Sequence, residues 1–254
     1  MAESALQKTD NNVAEFLKKF GKGLKDYAIR DYNHDAFMKS AMIAIVDNPE
    51  LAKAVTTEPG KLSLFNSLRY AATTGLSLNP QEGKACLIPY AGKIQYQVMK
   101  NGMVDLALES GKVEFIMSDV IHENDTWQFP QNPNDNYIYQ PARRNRGGID
   151  GFFAAMKLKT GALLVKYIDI DQMRDHRKKY SSKSQMPEVG YGLKTVIKAL
   201  LRTTSLSADI DNAIATDDFY EAEFTVHGTT ADKATEKIKQ PDKKVEAEVQ
   251  GDLL

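Results

Sequence analysis

Two short apolar runs joined by a two-residue turn occur twice in the middle of this chain, and nothing else in the sequence restricts the fold as much. Lys84 to Tyr90 and Lys93 to Met99 flank Ala91-Gly92, while Phe152 to Lys159 and Ala162 to Ile168 flank Thr160-Gly161. A two-residue connection joins antiparallel strands, because a parallel pair needs a crossover of roughly a dozen residues or more.

Helical spacing surrounds the hairpins. From Val13 to about Ile29 the apolar positions Val13, Phe16, Leu17, Phe20 and Leu24 recur at helical intervals, with Gly21 and Gly23 weakening the run. A second helix is expected from near Asn33, carrying Phe37, Met38, Ala41, Met42 and Ile45 until Asn48-Pro49 stops it. A third runs from about Leu62 to Thr74, with Gly75 in the C-cap position. Asn101 to Ser110 is helical and Lys112 to His122 strand-like. Asp169 or Asp171 caps a helix through Tyr180, and Leu193 to Thr204 carries Val196, Ile197, Leu200 and Leu201 inward. The pattern predicts an α+β fold: a largely antiparallel central sheet of hairpins flanked by helices, with N-terminal helices and a disordered acidic C-terminal tail. We divide it into an N-terminal helical region, 1–60, a basic α+β core, 61–206, a C-terminal helical segment, 207–227, and a tail, 228–254, where hydrophobic density collapses.

Charge follows the same divisions. The whole chain has 33 basic and 34 acidic side chains, net −1, which taken alone argues against a polyanionic partner. By segment the sum is −1 for 1–60, +7 for 61–206 and −7 for 207–254, so a basic body is cancelled by an acidic end. Residues 141–206 alone hold 14 basic and 5 acidic side chains. Such a body is the footprint of a polyanion-binding surface, the alternative being lysines and arginines that merely solvate. One cysteine, Cys86, permits neither an internal disulfide nor a cysteine zinc site. With no membrane-length apolar run and no secretory pattern at Met1-Ala2-Glu3-Ser4, a cytosolic protein is expected.

Catalytic patterns fail one by one. Gly60-Lys61 and Gly83-Lys84 lack the preceding glycine and the following Ser or Thr of a phosphate-binding loop. Gly190-Tyr191-Gly192 lacks the third glycine of a dinucleotide fingerprint. His34, His122, His176 and His227 show no metal-ligand spacing, and His122-Glu123-Asn124-Asp125 reads as a loop. Asp209, Asp211, Asp217 and Asp218 are neighbours in an acidic segment that would repel DNA, unlike the converging carboxylates of a nuclease. No enzyme is expected and no cofactor is required; magnesium would enter only with DNA.

Binding patterns are present instead. Lys194, Lys198 and Arg202 stack at i, i+4 and i+8 on a helix that contains no acid to relieve them, so a polyanion is the expected counter-charge. Arg143, Arg144 and Arg146, followed by Gly147-Gly148, form a second cluster on an expected flexible turn. Lys84, Tyr90, Lys93, Tyr96 and Lys100 alternate through the first hairpin, and Trp127, Phe129, Tyr137 and Tyr139 precede the arginines. Aromatic faces stack on any base while cations neutralise phosphates, which suits single strands bound with little sequence preference. Most of these aromatics are nonetheless expected to fill the core, with the lysines sharing the exposed face of the first hairpin.

The segments Gly75-Leu76-Ser77-Leu78-Asn79-Pro80, Gly83 to Tyr90, Ile94-Gln95-Tyr96-Gln97, Lys100 to Ala107, Ser110-Gly111 and Val120 to Asp125, then Lys194-Thr195-Val196-Ile197, occur in an order that resembles the core of the RecT family of phage single-strand annealing proteins. The resemblance covers about residues 33–210. It departs at Ser184 to Tyr191, where the family commonly has a Gly-Pro-Trp and an acidic-Met pair. It implies an ATP-independent recombinase of the bacterial host cytoplasm that binds single-stranded DNA and the annealed duplex. Homo-oligomers or helical filaments are implied too, with host single-strand binding protein and a phage exonuclease as further partners. The expected DNA-binding set is Lys84, Lys93, Tyr96, Lys100, Arg143, Arg144, Arg146, Lys194, Lys198 and Arg202, and residues 1–60 are the expected protomer contacts. The competing function is a passive single-stranded DNA coat without annealing activity.

Overall fold

A computed structural model describes residues 13–19, 21–28, 33–129, 137–180 and 186–226, with only the backbone described over 219–226. The expected tail, 228–254, lies outside these residues, as do Phe20, Ile29 and part of the departure at Ser184. The fold is α+β with antiparallel sheets flanked by helices, as expected. The described residues divide into two compact units, one ending at Val98, the other running from Met99 to Thr225. The division thus falls inside the stretch the sequence reads as one basic core.

In the first unit, α1 (13–19) buries Val13, Phe16 and Leu17, and a 3-10 segment, Gly21–Tyr27, replaces the helix where the glycines fall. Asn33 caps α2 (His34–Val46) by accepting from the Ala36 N–H at 2.9 Å. Asn48-Pro49 ends α2, yet it also starts α3 (Pro49–Ala54): the Asn48 side chain caps the new helix and Pro49 occupies its first position, where no N–H is needed. α4 (Glu58–Thr74) begins at the Thr57 cap and ends at Gly75, whose φ of 63° is the left-handed C-cap conformation. Behind it β1 (Ala85–Tyr90) pairs antiparallel with β2 (Lys93–Val98). α4 holds that hairpin through polar contacts: Ser67 Oγ donates to the Ile94 carbonyl and Ser63 Oγ accepts from the Ile94 N–H, both at 2.8 Å. The register puts Leu87 beside Tyr96 and Ala85 beside Val98 on the face that α4 buries.

The second unit opens with α5 (Lys100–Glu109). Its sheet is β3 (Val113–His122), β6 (Ile149–Leu158) and β7 (Leu163–Asp169), antiparallel in the order β3-β6-β7. Because side chains alternate, β6 has two distinct faces. Phe152 lies beneath α7 (Glu188–Leu201), where Gly192 permits close approach: a Cβ there would come within 2.4 Å of the Phe152 ring. Gly192 is therefore a packing glycine and not part of a nucleotide loop. Phe153 and Ala155 face the other way and, with Ile121, form a core covered by Met117, Phe129, Tyr137, Tyr139, Val165 and Tyr167. A small hairpin, β4 (Thr126–Gln128) with β5 (Ile138–Gln140), supplies much of that cover. α6 (Ile170–Tyr180) follows β7, with Asp169 accepting from the Gln172 N–H. α8 (Ala208–Val226) ends the unit and buries Ile210, Ala213 and Ile214.

Candidate nucleic-acid interface

The β4–β5 hairpin and the turn after it form the most developed surface of the second unit. Trp127 pairs across the hairpin with Tyr139. Tyr139 packs on Phe153 with centroids 4.6 Å apart, Phe129 packs on Phe153 at 5.2 Å, and Trp127 stacks on Tyr167 at 4.9 Å and 28°. The alternation of β6 and the short β4 strand put these rings together, so most of the aromatics are core. Trp127, at the outer end of the array, keeps 36% of its surface exposed.

Below the array lies a charged anchor. Asp125, with no exposed side-chain surface, accepts two hydrogen bonds from the Arg146 guanidinium at 3.1 and 2.6 Å, one from the Ala142 N–H and one from the His122 N–H. Arg146 also donates to the Val120 carbonyl and to the Tyr139 hydroxyl, each at 2.9 Å. The Arg146 hydrogen bond, working against burial, holds the Asp125 carboxyl far below its usual range; the Asp125 hydrogen bond in turn raises Arg146. Burial, reinforced by Asp119, pushes the Tyr139 hydroxyl up to about 12. The turn expected to be flexible is instead braced along its length: Asn124 Nδ2 donates to the Asn145 carbonyl at 2.7 Å and Gly148 N–H to Glu123 at 2.9 Å. His122 to Asp125 is thus the socket of this turn. Arg146 is the anchor and Arg143 and Arg144 are the exposed cations it presents.

The α7 cations stand differently. Lys194 and Lys198 are 4% and 2% exposed, and their ammoniums share Asp217 of α8 at 2.5 and 2.8 Å. Asp218 meets Lys198 at 3.2 Å and also pairs with Arg202. The expectation that no acid relieves these cations does not hold, because the acids arrive from the next helix. Burial opposes ionisation of Asp217, but the charges of Lys194 and Lys198 outweigh it and hold the carboxyl low. Burial, followed by the charges of Lys198 and Arg202, keeps His176 below its ordinary value beside the Tyr191 hydroxyl at 2.9 Å. Asp217 was legible in principle: Ile210, Ala213, Ile214 and Asp217 fall at i, i+3, i+4 and i+7, which places the acid on the buried stripe.

The remaining candidates divide between the units. In the first, Tyr96 is entirely buried and its hydroxyl lies 2.7 Å from Thr74 Oγ1, so its ring is a core element and not a surface platform. Lys93 is exposed at the end of the hairpin beside Ala91 and Gly92, both at positive φ, and Lys84 lies 3.8 Å from Glu82. Lys100 is half-buried in the first turn of α5 in the second unit. Among the described residues no cluster of three or more His, Cys, Asp or Glu is arranged to hold a metal, and no helix is long and apolar enough to cross a membrane. The part-exposed Trp127 indole can stack on a base, and the exposed guanidiniums of Arg143 and Arg144 can pair with phosphate.

The RecT family profile matches residues 35–236. The chain is 30% identical over 167 residues to the uncharacterized protein YqaK of Bacillus subtilis (strain 168), a match covering 64% of this chain and 57% of that protein. It is 22% identical over 243 residues to Protein RecT of Escherichia coli (strain K12), covering 86% of this chain and 88% of that one.

Proposed function

This chain belongs to the RecT family, and from that premise we propose that it binds single-stranded DNA and anneals it to a complementary strand without nucleotide hydrolysis. The observation that carries the reading is the turn that exposes Arg143 and Arg144 while Arg146 is locked to Asp125, following a hairpin that leaves the Trp127 indole part-exposed. Two free strands repel through their phosphates, and pairing within each strand blocks pairing between them. A protein that neutralises backbone charge and holds bases extended, with their pairing edges free, lowers both barriers. Sequence information then comes from the bases alone, so no base-reading groups are needed.

Assembly into oligomers or filaments on the product belongs to the same proposal, with residues 1–60 as the protomer contacts. So do host single-strand binding protein and a phage exonuclease as partners, and Lys84, Lys93 and Lys100 as further backbone contacts. Fluorescence quenching between two labelled complementary strands tests the central activity. The protein should raise the pairing rate above that of naked strands; a slowed rate would identify a passive coat and overturn the proposal.

A further inference from the structure

Lys194, Lys198 and Arg202 occupy successive turns on one face of α7, and the carboxylates that meet them stand on α8. Asp217 gives one oxygen to each lysine, at 2.5 and 2.8 Å, as the two non-bridging oxygens of a phosphate would. Asp218 bridges Lys198 and Arg202 through Oδ1, with Oδ2 also accepting from Arg202. We propose that this face of α7 is a second binding site for a phosphodiester backbone, closed in the free protein by α8, whose carboxylates stand where phosphates would sit. The proposal rests on the single-strand binding reading given above.

The attachment of α8 fits a clasp. Among the described side chains of α8, the buried apolar positions Ile210, Ala213 and Ile214 lie between the connecting residues 202–207 and the acids Asp217 and Asp218. Asp217 is nine residues from the start of the helix, about 13 Å along its axis at 1.5 Å per residue. A modest swing about the connection therefore moves the carboxylates a long way while disturbing the apolar grip least. Opening without a replacement anion would strand two buried ammoniums, which is strongly unfavourable. Exchanging carboxylates for phosphates keeps each cation paired throughout, so the site opens to a polyanion and stays shut without one.

Hydrogen exchange of the full chain, with and without an oligothymidylate strand, tests this directly. Amides of residues 208–218 should lose protection when the strand binds; unchanged or increased protection overturns the clasp. A variant that keeps Asp217 gives a second reading. Asp218→Asn frees Arg202, so the salt dependence of oligothymidylate binding should steepen by about 0.7 in log–log slope, one more phosphate contact. Adding Arg202→Met should return it to the wild-type value. A slope unaltered by Asp218→Asn overturns the proposal. If the wild-type chain fails to bind oligothymidylate at all, the binding reading falls and the clasp with it. If it binds while α8 stays protected, the clasp alone falls.

Discussion

On α7, Lys194 and Lys198 reach Asp217 inside the fold, whereas Arg143 and Arg144 stand in solvent on a turn whose other arginine, Arg146, is tied to Asp125. Both groups are runs of cations in the most basic stretch of the chain. What separates them is where an acid arrives from. α8 brings Asp217 and Asp218 onto the helix, while the turn receives one buried carboxylate and assigns it to one of three arginines. A cation count along a sequence therefore overstates the surface available to a polyanion wherever a later element carries acids on its buried stripe.

The sharpest way to break this comparison is to remove the internal counter-charge. Asp217→Asn deprives two buried ammoniums of their shared carboxylate and should cost about 3 to 5 kcal/mol of stability, read by denaturant unfolding. A loss below about 1 kcal/mol would mean that the lysines are not held as described. Arg146→Ala should behave as the turn's equivalent and cost about 2 to 3 kcal/mol by leaving the buried Asp125 carboxylate short of its charged partner. Acid distinguishes the anchored residues from the presented ones. The carboxyls of Asp125 and Asp217 titrate below the ordinary value of about 3.9, so in that window the unfolded chain binds protons that the folded chain does not. Their stabilisation is complete above that value and fades as pH falls below it. Replacing Arg143 and Arg144 should leave the acid-unfolding curve where it was. Trp127→Ala should weaken single-strand binding by about 1 to 3 kcal/mol with the salt slope intact, since stacking carries no charge. A change in slope would assign the indole a different role.

The hairpins and most helices could be read from the residues because their signals are local. Alternation around Ala91-Gly92 and Thr160-Gly161, helical spacing up to Gly75, and Asp169 ahead of α6 each act within a few positions. α3 was hidden because Asn48-Pro49 is at once a stop for one helix and the start of another, and β4 and β5 because three residues are too few to show a period. The site residues were harder for a related reason. Whether Tyr96 faces solvent depends on which side of the hairpin α4 covers, which alternation leaves open. Lys198 and Asp217 are 19 positions apart on separate helices, so their pairing appears only once α8 is packed. Arg146 differs from Arg143 by three positions, yet only the fold decides which one Asp125 takes.

The turn's role is tested most directly by the salt dependence of single-strand affinity in a chain carrying Arg143→Ala and Arg144→Ala. With two phosphate contacts removed, the log–log slope should become shallower by about 1.4 while the melting temperature stays unchanged. A slope identical to that of the wild-type chain would contradict the assignment of this surface to the DNA backbone.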